Sequence, residues 1–122
     1  MSRSQDARIS RIMTTDVSDA PLGDVATKLL FEDDRVRIWE LKLAPGEETP
    51  PHRHDLDYYI IMVDGDGIAA APHVTSTGPS ANYIAVTDIR RGDVVPMEKG
   101  GVELARNIGT KPFYEILVEL KR

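Results

Sequence analysis

Eight short apolar runs, each closed off by residues that bend a chain, restrict this sequence to strands. They are Thr27 to Glu32, Val36 to Leu43, Tyr58 to Val63, Ile68 to Ala71, Tyr83 to Ile89, Val94 to Met97, Val102 to Ile108 and Tyr114 to Leu120. Between them fall Asp33-Asp34, Ala44-Pro45-Gly46, Asp64-Gly65-Asp66-Gly67, Arg91-Gly92-Asp93, Lys99-Gly100-Gly101 and Gly109-Thr110-Lys111-Pro112, the chemistry of hairpins and corners. The runs have strand length, and no segment carries a 3.6-residue apolar stripe long enough for a core helix. The last run sets Ile116, Val118 and Leu120 against Glu115, Leu117 and Glu119, the two-residue period of a strand. An all-β domain is expected.

The chain has 122 residues, enough for one buried core and too few for two. Residues 1–24 are polar, mixed in charge and weakly periodic, so they read as an amino-terminal arm, part of it without fixed structure, ahead of a domain spanning 25–122. Fifteen Lys and Arg against twenty Asp and Glu leave a formal charge of −5, which repels phosphate backbones and anionic lipid headgroups. Neither nucleic acid nor a membrane is therefore expected as a partner. The absence of cysteine removes disulfides, thiolate zinc sites and cysteine nucleophiles, leaving any metal to His nitrogen and carboxylate oxygen. With no secretory signal or spanning segment at the amino terminus, the expected location is the cytoplasm. A Gly-rich phosphate loop and a Gly-x-Ser-x-Gly elbow are also missing.

Two of the three histidines stand one residue apart in Pro50-Pro51-His52-Arg53-His54. Residues i and i+2 of a strand point the same way, so His52 and His54 can close on one metal ion. The plain alternative is a pair of surface residues on a loop. His73, in the polar stretch from Ala71 to Pro79, reads as an exposed connection residue, Trp39 as core or subunit interface, and Asn107 with Arg106 as support for a turn or an ion pair.

The spacing of these residues resembles that of the cupin family of small β-barrels and jelly rolls, over roughly Val25 to Arg122. Gly46, His52, His54 and Gly65 occupy places in a cupin's first motif, with Tyr58 where its Glu would stand. Gly92, Gly100 and Asn107 match the second motif, with Glu103 in place of its His and Glu98 in place of its Pro. Within that family, His52-Arg53-His54 followed by Asp57-Tyr58 is similar to small single-domain members linked with β-alanine degradation. The resemblance implies an antiparallel double-stranded β-helix with one open mouth. It also implies a divalent metal, with Fe, Mn, Zn and Ni all compatible.

If Glu103 replaces the second-motif histidine, His52, His54 and Glu103 make a two-His-one-carboxylate set with open coordination positions. Against this, Val102 and Leu104 flank Glu103 on the opposite strand face and look more core-like. Tyr58, four residues beyond His54 and so expected on the same strand face, is a candidate catalytic acid-base group, fourth ligand or substrate donor; the alternative is a packing tyrosine. Asp57 is its rival as a ligand, needing a bulge to turn inward, and otherwise pairs with Arg53 or Arg106.

Two functions fit. One is a metal-dependent enzyme acting on a small polar or carboxylate-bearing metabolite by isomerisation, decarboxylation, lyase chemistry or dioxygenation. The other is a barrel that binds or senses a small ligand without turning it over. Cupins commonly pair, and small open barrels leave strand edges to cover, so a homodimer is expected in which Val25 to Leu43 adds to the partner's sheet or covers its edge.

Overall fold

A computed structural model describes residues 22–73, 75 and 82–122. Most of the expected arm, residues 1–21, lies outside the described residues, as do 74 and 76–81 of the connection after His73. The strands are β1 (Lys28–Glu32), β2 (Val36–Leu43), β3 (His52–Arg53), β4 (Tyr58–Asp64), β5 (Ile68–Pro72), β6 (Ile84–Val86), β7 (Val94–Met97), β8 (Val102–Asn107) and β9 (Phe113–Leu120). Each of the eight apolar runs overlaps a strand. The ninth, β3, is the two-residue piece that begins at His52. Among the described residues there is no helix, and so none long and apolar enough to cross a membrane.

Every pairing is antiparallel. One sheet has the order β1-β2-β9-β4-β7 and the other β3-β8-β5-β6, so neighbours in the sheets are mostly distant in the chain, as in a double-stranded β-helix. Positive φ among the described residues is confined to Gly46, Gly65, Gly92 and Gly100. These are the motif glycines named above, and each turns the chain between strands. At Gly65 the space is also closed, because a Cβ there would lie 2.7 Å from Phe113 Cδ1.

The core lies against the inner face of the five-stranded sheet. Trp39, Leu41 and Leu43 from β2, Tyr58 and Met62 from β4, and Phe113 and Leu117 from β9 pack with Ile68 from β5 and with Val25 and Ala26 ahead of β1. Trp39 is thus a core residue. Of the two sets that alternate in β9, the mixed one faces inward: Phe113, Glu115, Leu117 and Glu119 are buried, while Ile116, Val118 and Leu120 are only half-buried on the outer face. The central position of β9 explains this, since a strand flanked on both sides by others gives both faces apolar neighbours. Glu119, wholly inaccessible, accepts hydrogen bonds at Oε1 from Trp39 Nε1 at 2.6 Å and Arg37 Nε at 2.8 Å. A buried carboxylate needs such donors.

Asn107 serves a turn, as its position near a strand end suggested. Its Nδ2 donates to the carbonyls of Leu43 and Lys111, both at 2.9 Å, and its Oδ1 accepts from Gly109 N at 2.8 Å. Asn107→Ala leaves these buried backbone groups unpaired. It is expected to lower unfolding free energy by about 1–3 kcal/mol, read as an earlier urea midpoint with an unchanged slope.

Candidate metal centre

The segment from Thr49 to His54 is laid along β8 by hydrogen bonds rather than by its own strand propensity. Thr49 N donates to Ala105 O and Thr49 Oγ1 accepts from Ala105 N, while His54 N donates to Gly101 O and Gly100 N donates to His54 O. Between these anchors His52 is placed directly opposite Glu103. Two prolines supply no N–H here, which suits a stretch whose pairing is carried by its ends.

The result brings His52, His54 and Glu103 together, with one potential ligand atom from each lying within 4.8 Å of the others. His54 Nε2 and Glu103 Oε2 are 3.7 Å apart. His52 Nδ1 lies 3.1 Å from the Pro50 carbonyl, so it carries the proton and leaves the Nε2 lone pair for a ligand bond. Burial, reinforced by the neighbouring His54, holds the His52 imidazole down at about 4, so it is neutral at physiological pH. His54 is almost inaccessible and its Nδ1 has no hydrogen-bond partner among the described residues. Two imidazoles beside a carboxylate are a donor set that fits a divalent ion such as Fe, Mn, Zn or Ni. The core-like look of Val102 and Leu104 is real, since both are buried, but it does not send Glu103 to solvent. Leu104 packs with Ala71 and Tyr83 on the outer face of β8, leaving Glu103 on the inner one.

Tyr58 stacks on His54 with ring centroids 4.1 Å apart and an interplanar angle of 14°. His54 lies outside any strand, so the two meet through the intervening loop and not by sharing a strand face. Burial, with Glu103, Glu115 and Glu119 nearby, pushes the Tyr58 hydroxyl well above its usual value. It is a proton donor and not a base at neutral pH. Asp57 is engaged elsewhere: its Oδ1 accepts from Lys99 N at 3.0 Å, and neither Arg53 nor Arg106 pairs with it. His73 is tied to Thr75, with Nδ1 2.8 Å from Thr75 Oγ1, and does not line the cavity.

The three ligand candidates and Tyr58 line a cavity of about 240 Å³ between the two sheets. Most of its wall is apolar, and the exposed members Ile84, Val86 and Val95 place the opening between β6 and β7, the free edges of the two sheets. Sequence reasoning missed one polar group in that wall, Glu115. Its carboxyl is buried, has no hydrogen-bond or ion-pair partner among the described residues, and is pushed up to about 8 by burial and by the charge of Glu103. The available signal was an acid on the same strand face as Phe113 and Leu117.

No sequence-family model matches the chain, and no curated protein matches it. Solved structures match in shape. A cupin domain from Bordetella pertussis Tohama I aligns over 82% of this chain and 100% of its own, with a TM-score of 0.64 at 20% identity. An RmlC-like cupin family protein with a double-stranded β-helix fold from Methanocaldococcus jannaschii aligns over 88% of this chain and 85% of its own, with a TM-score of 0.60 at 16% identity. A mutant of the salicylate 1,2-dioxygenase from Pseudoaminobacter salicylatoxidans aligns over 72% of this chain but 23% of its own, with a TM-score of 0.53 at 19% identity. These likenesses establish the cupin double-stranded β-helix as the fold.

The raised value of Glu115 has a sign that can be tested. An unfolded chain ionises this group near its ordinary value of about 4.3, whereas the folded chain keeps the proton up to about 8. Folding therefore loses stability as pH rises through that window, by up to about 1.4 kcal/mol per pH unit. Glu115→Gln cannot ionise. Urea unfolding of metal-free protein at pH 5 and pH 8 is expected to show the variant gaining on the wild type as pH rises; parallel pH profiles would refute the assignment.

Proposed function

We propose that the protein is a metal-dependent enzyme in which His52, His54 and Glu103 hold a divalent ion and Tyr58 donates a proton or hydrogen bond to a small substrate. The observation that carries this reading is the convergence of the three donor groups in the wall of a cavity that opens to solvent. When bound, the ion would supply Lewis acidity and a template for substrate oxygens. The chain's own residues do the rest: Pro50 fixes the His52 tautomer, Tyr58 stays protonated against His54, and the apolar wall excludes water. The alternative of a ligand-binding barrel without turnover would be favoured by a site of two histidines alone. Glu103 beside His54 and Tyr58 against its ring favour the enzyme instead. One of the fold neighbours is a dioxygenase, and dioxygenation remains with isomerase, decarboxylase and lyase chemistry among the reactions that the donor set permits. Kinship with the cupins linked to β-alanine degradation rests on His52-Arg53-His54 and Asp57-Tyr58 and assigns no reaction.

Metal analysis of untagged protein tests the site. Wild type is expected to retain close to one equivalent of a divalent ion, and the double variant His52→Ala/His54→Ala none. Glu103→Gln, which keeps the shape and removes the charge, is expected to weaken metal affinity about 10- to 100-fold with little change in folding. Full affinity in that variant would remove Glu103 from the ligand set.

The protein also acts, in this proposal, as a homodimer through β1. Leu29, Leu30 and Phe31 are all exposed on this edge strand, and Phe31 continues into the outward row of Ile38, Val118 and Tyr59 across the five-stranded sheet. A second copy related by a two-fold axis covers edge and face together. Light scattering is expected to give the dimer mass for wild type and the monomer mass for Phe31→Glu; a wild-type monomer at micromolar concentration would exclude the dimer.

A further inference from the structure

Glu115 is a buried acid with no hydrogen-bond or ion-pair partner among the described residues. It is 5% exposed, it lines the cavity, and its neighbours across the sheet are Leu41 on β2, which has no polar atom, and Met62 on β4, whose thioether is only a weak acceptor. An unsatisfied polar group in an apolar wall costs stability unless something else satisfies it. The titratable groups that face the same cavity are Glu103 on β8, His52, His54 and Tyr58, so only the metal-site side of the cavity is polar. The rest of the wall, including Val25, Ile60, Met97 and Leu117, offers a ligand only dispersion contacts and exclusion of water. The space of about 240 Å³ exceeds the roughly 150 Å³ that accommodates benzene in an engineered apolar cavity.

We infer that the ligand of this cavity is a compact molecule with an apolar body, an aromatic ring or a branched chain, and one carboxylate or carbonyl end, and that Glu115 selects it by donating its acid proton in a hydrogen bond to that end. The inference deepens the proposed function by narrowing its substrate class, and rests on that reading only for the metal's contribution to binding. Burial, the larger cause of its raised value, favours the protonated form in which Glu115 is a hydrogen-bond donor. An apolar body matches the wall, and an accepting oxygen matches the unpaired acid.

Calorimetric titration at pH 6.5 with three probes separates body from head: benzoate has both, toluene only the body, acetate only the head. Wild-type protein is expected to bind benzoate with a dissociation constant of about 1 mM or tighter, at least about tenfold tighter than acetate. Glu115→Leu is expected to weaken benzoate about tenfold or more and to leave toluene unchanged or tighter. Glu115→Gln, which keeps an N–H donor, should recover most of the benzoate affinity, a result that loss of packing alone does not produce. Circular dichroism and the metal content of each sample confirm that the variants are folded and equally loaded. Acetate binding as well as benzoate, or a Glu115→Leu variant that binds benzoate as wild type does, overturns the inference. Metal-free protein that still binds benzoate in a Glu115-dependent way sustains it while removing the metal-centred function.

Discussion

The candidate site depends on one antiparallel register, the one that lays residues 52–54 beside 101–103. His52 against Glu103 and His54 against Gly101 share one register, and Thr49 against Ala105 continues the pairing after a one-residue slip taken up at Pro50-Pro51. A shift by one residue would turn Glu103 to the outer face and bring Val102 or Leu104 beside His52, because side chains alternate along a strand. The rungs at either end prevent such a shift. They act through backbone groups and the Thr49 hydroxyl, so the register does not depend on the histidines and the glutamate that it presents.

Around this register the interior divides its polar groups by how they are satisfied. Glu119 is held at Oε1 by an indole and a guanidinium, which makes it part of the scaffold that joins β2 to β9, although its buried Oε2 has no partner among the described residues. His52 is oriented by a carbonyl two residues away, and its burial keeps it neutral. Glu115 and Tyr58 have no such fixed partners among the described residues and line the cavity, so they are groups that a ligand can engage. The distinction between acids that support the barrel and acids that face its contents follows from donors within reach, not from burial, since Glu115 and Glu119 are both buried.

Much of this was legible in the sequence because strand signals and turn glycines are local. Val36–Leu43 and Val94–Met97 begin and end where their apolar runs do. The pairing of His52 with His54 was equally local, and Glu103 followed from the resemblance to a cupin's second motif, where it stands in place of the His. Strand β3 was not legible, since two residues after two prolines carry no propensity and are strand only because β8 is there. The roles of Glu115 and Glu119 were hidden for a related reason: which face of β9 turns inward is decided by its neighbours in the sheet, and its outer face is the more apolar of the two. Asp57 was misplaced because its partner, the Lys99 amide, lies 42 residues away in the chain.

The central place of β9 also bears on how the molecule comes to be assembled. This strand follows all the others in chain order, yet it joins β2 to β4, with Val36 paired to Leu120 and Tyr58 to Glu119. During synthesis, at roughly 5–20 residues per second, the preceding strands wait several seconds with their inner edges unpaired. Contacts of such long sequence separation also make folding slow once the chain is released. An emerging chain of this design is therefore exposed to mispairing and to chaperone capture for longer than a helical domain of equal size, and its apolar edges are what a chaperone would bind.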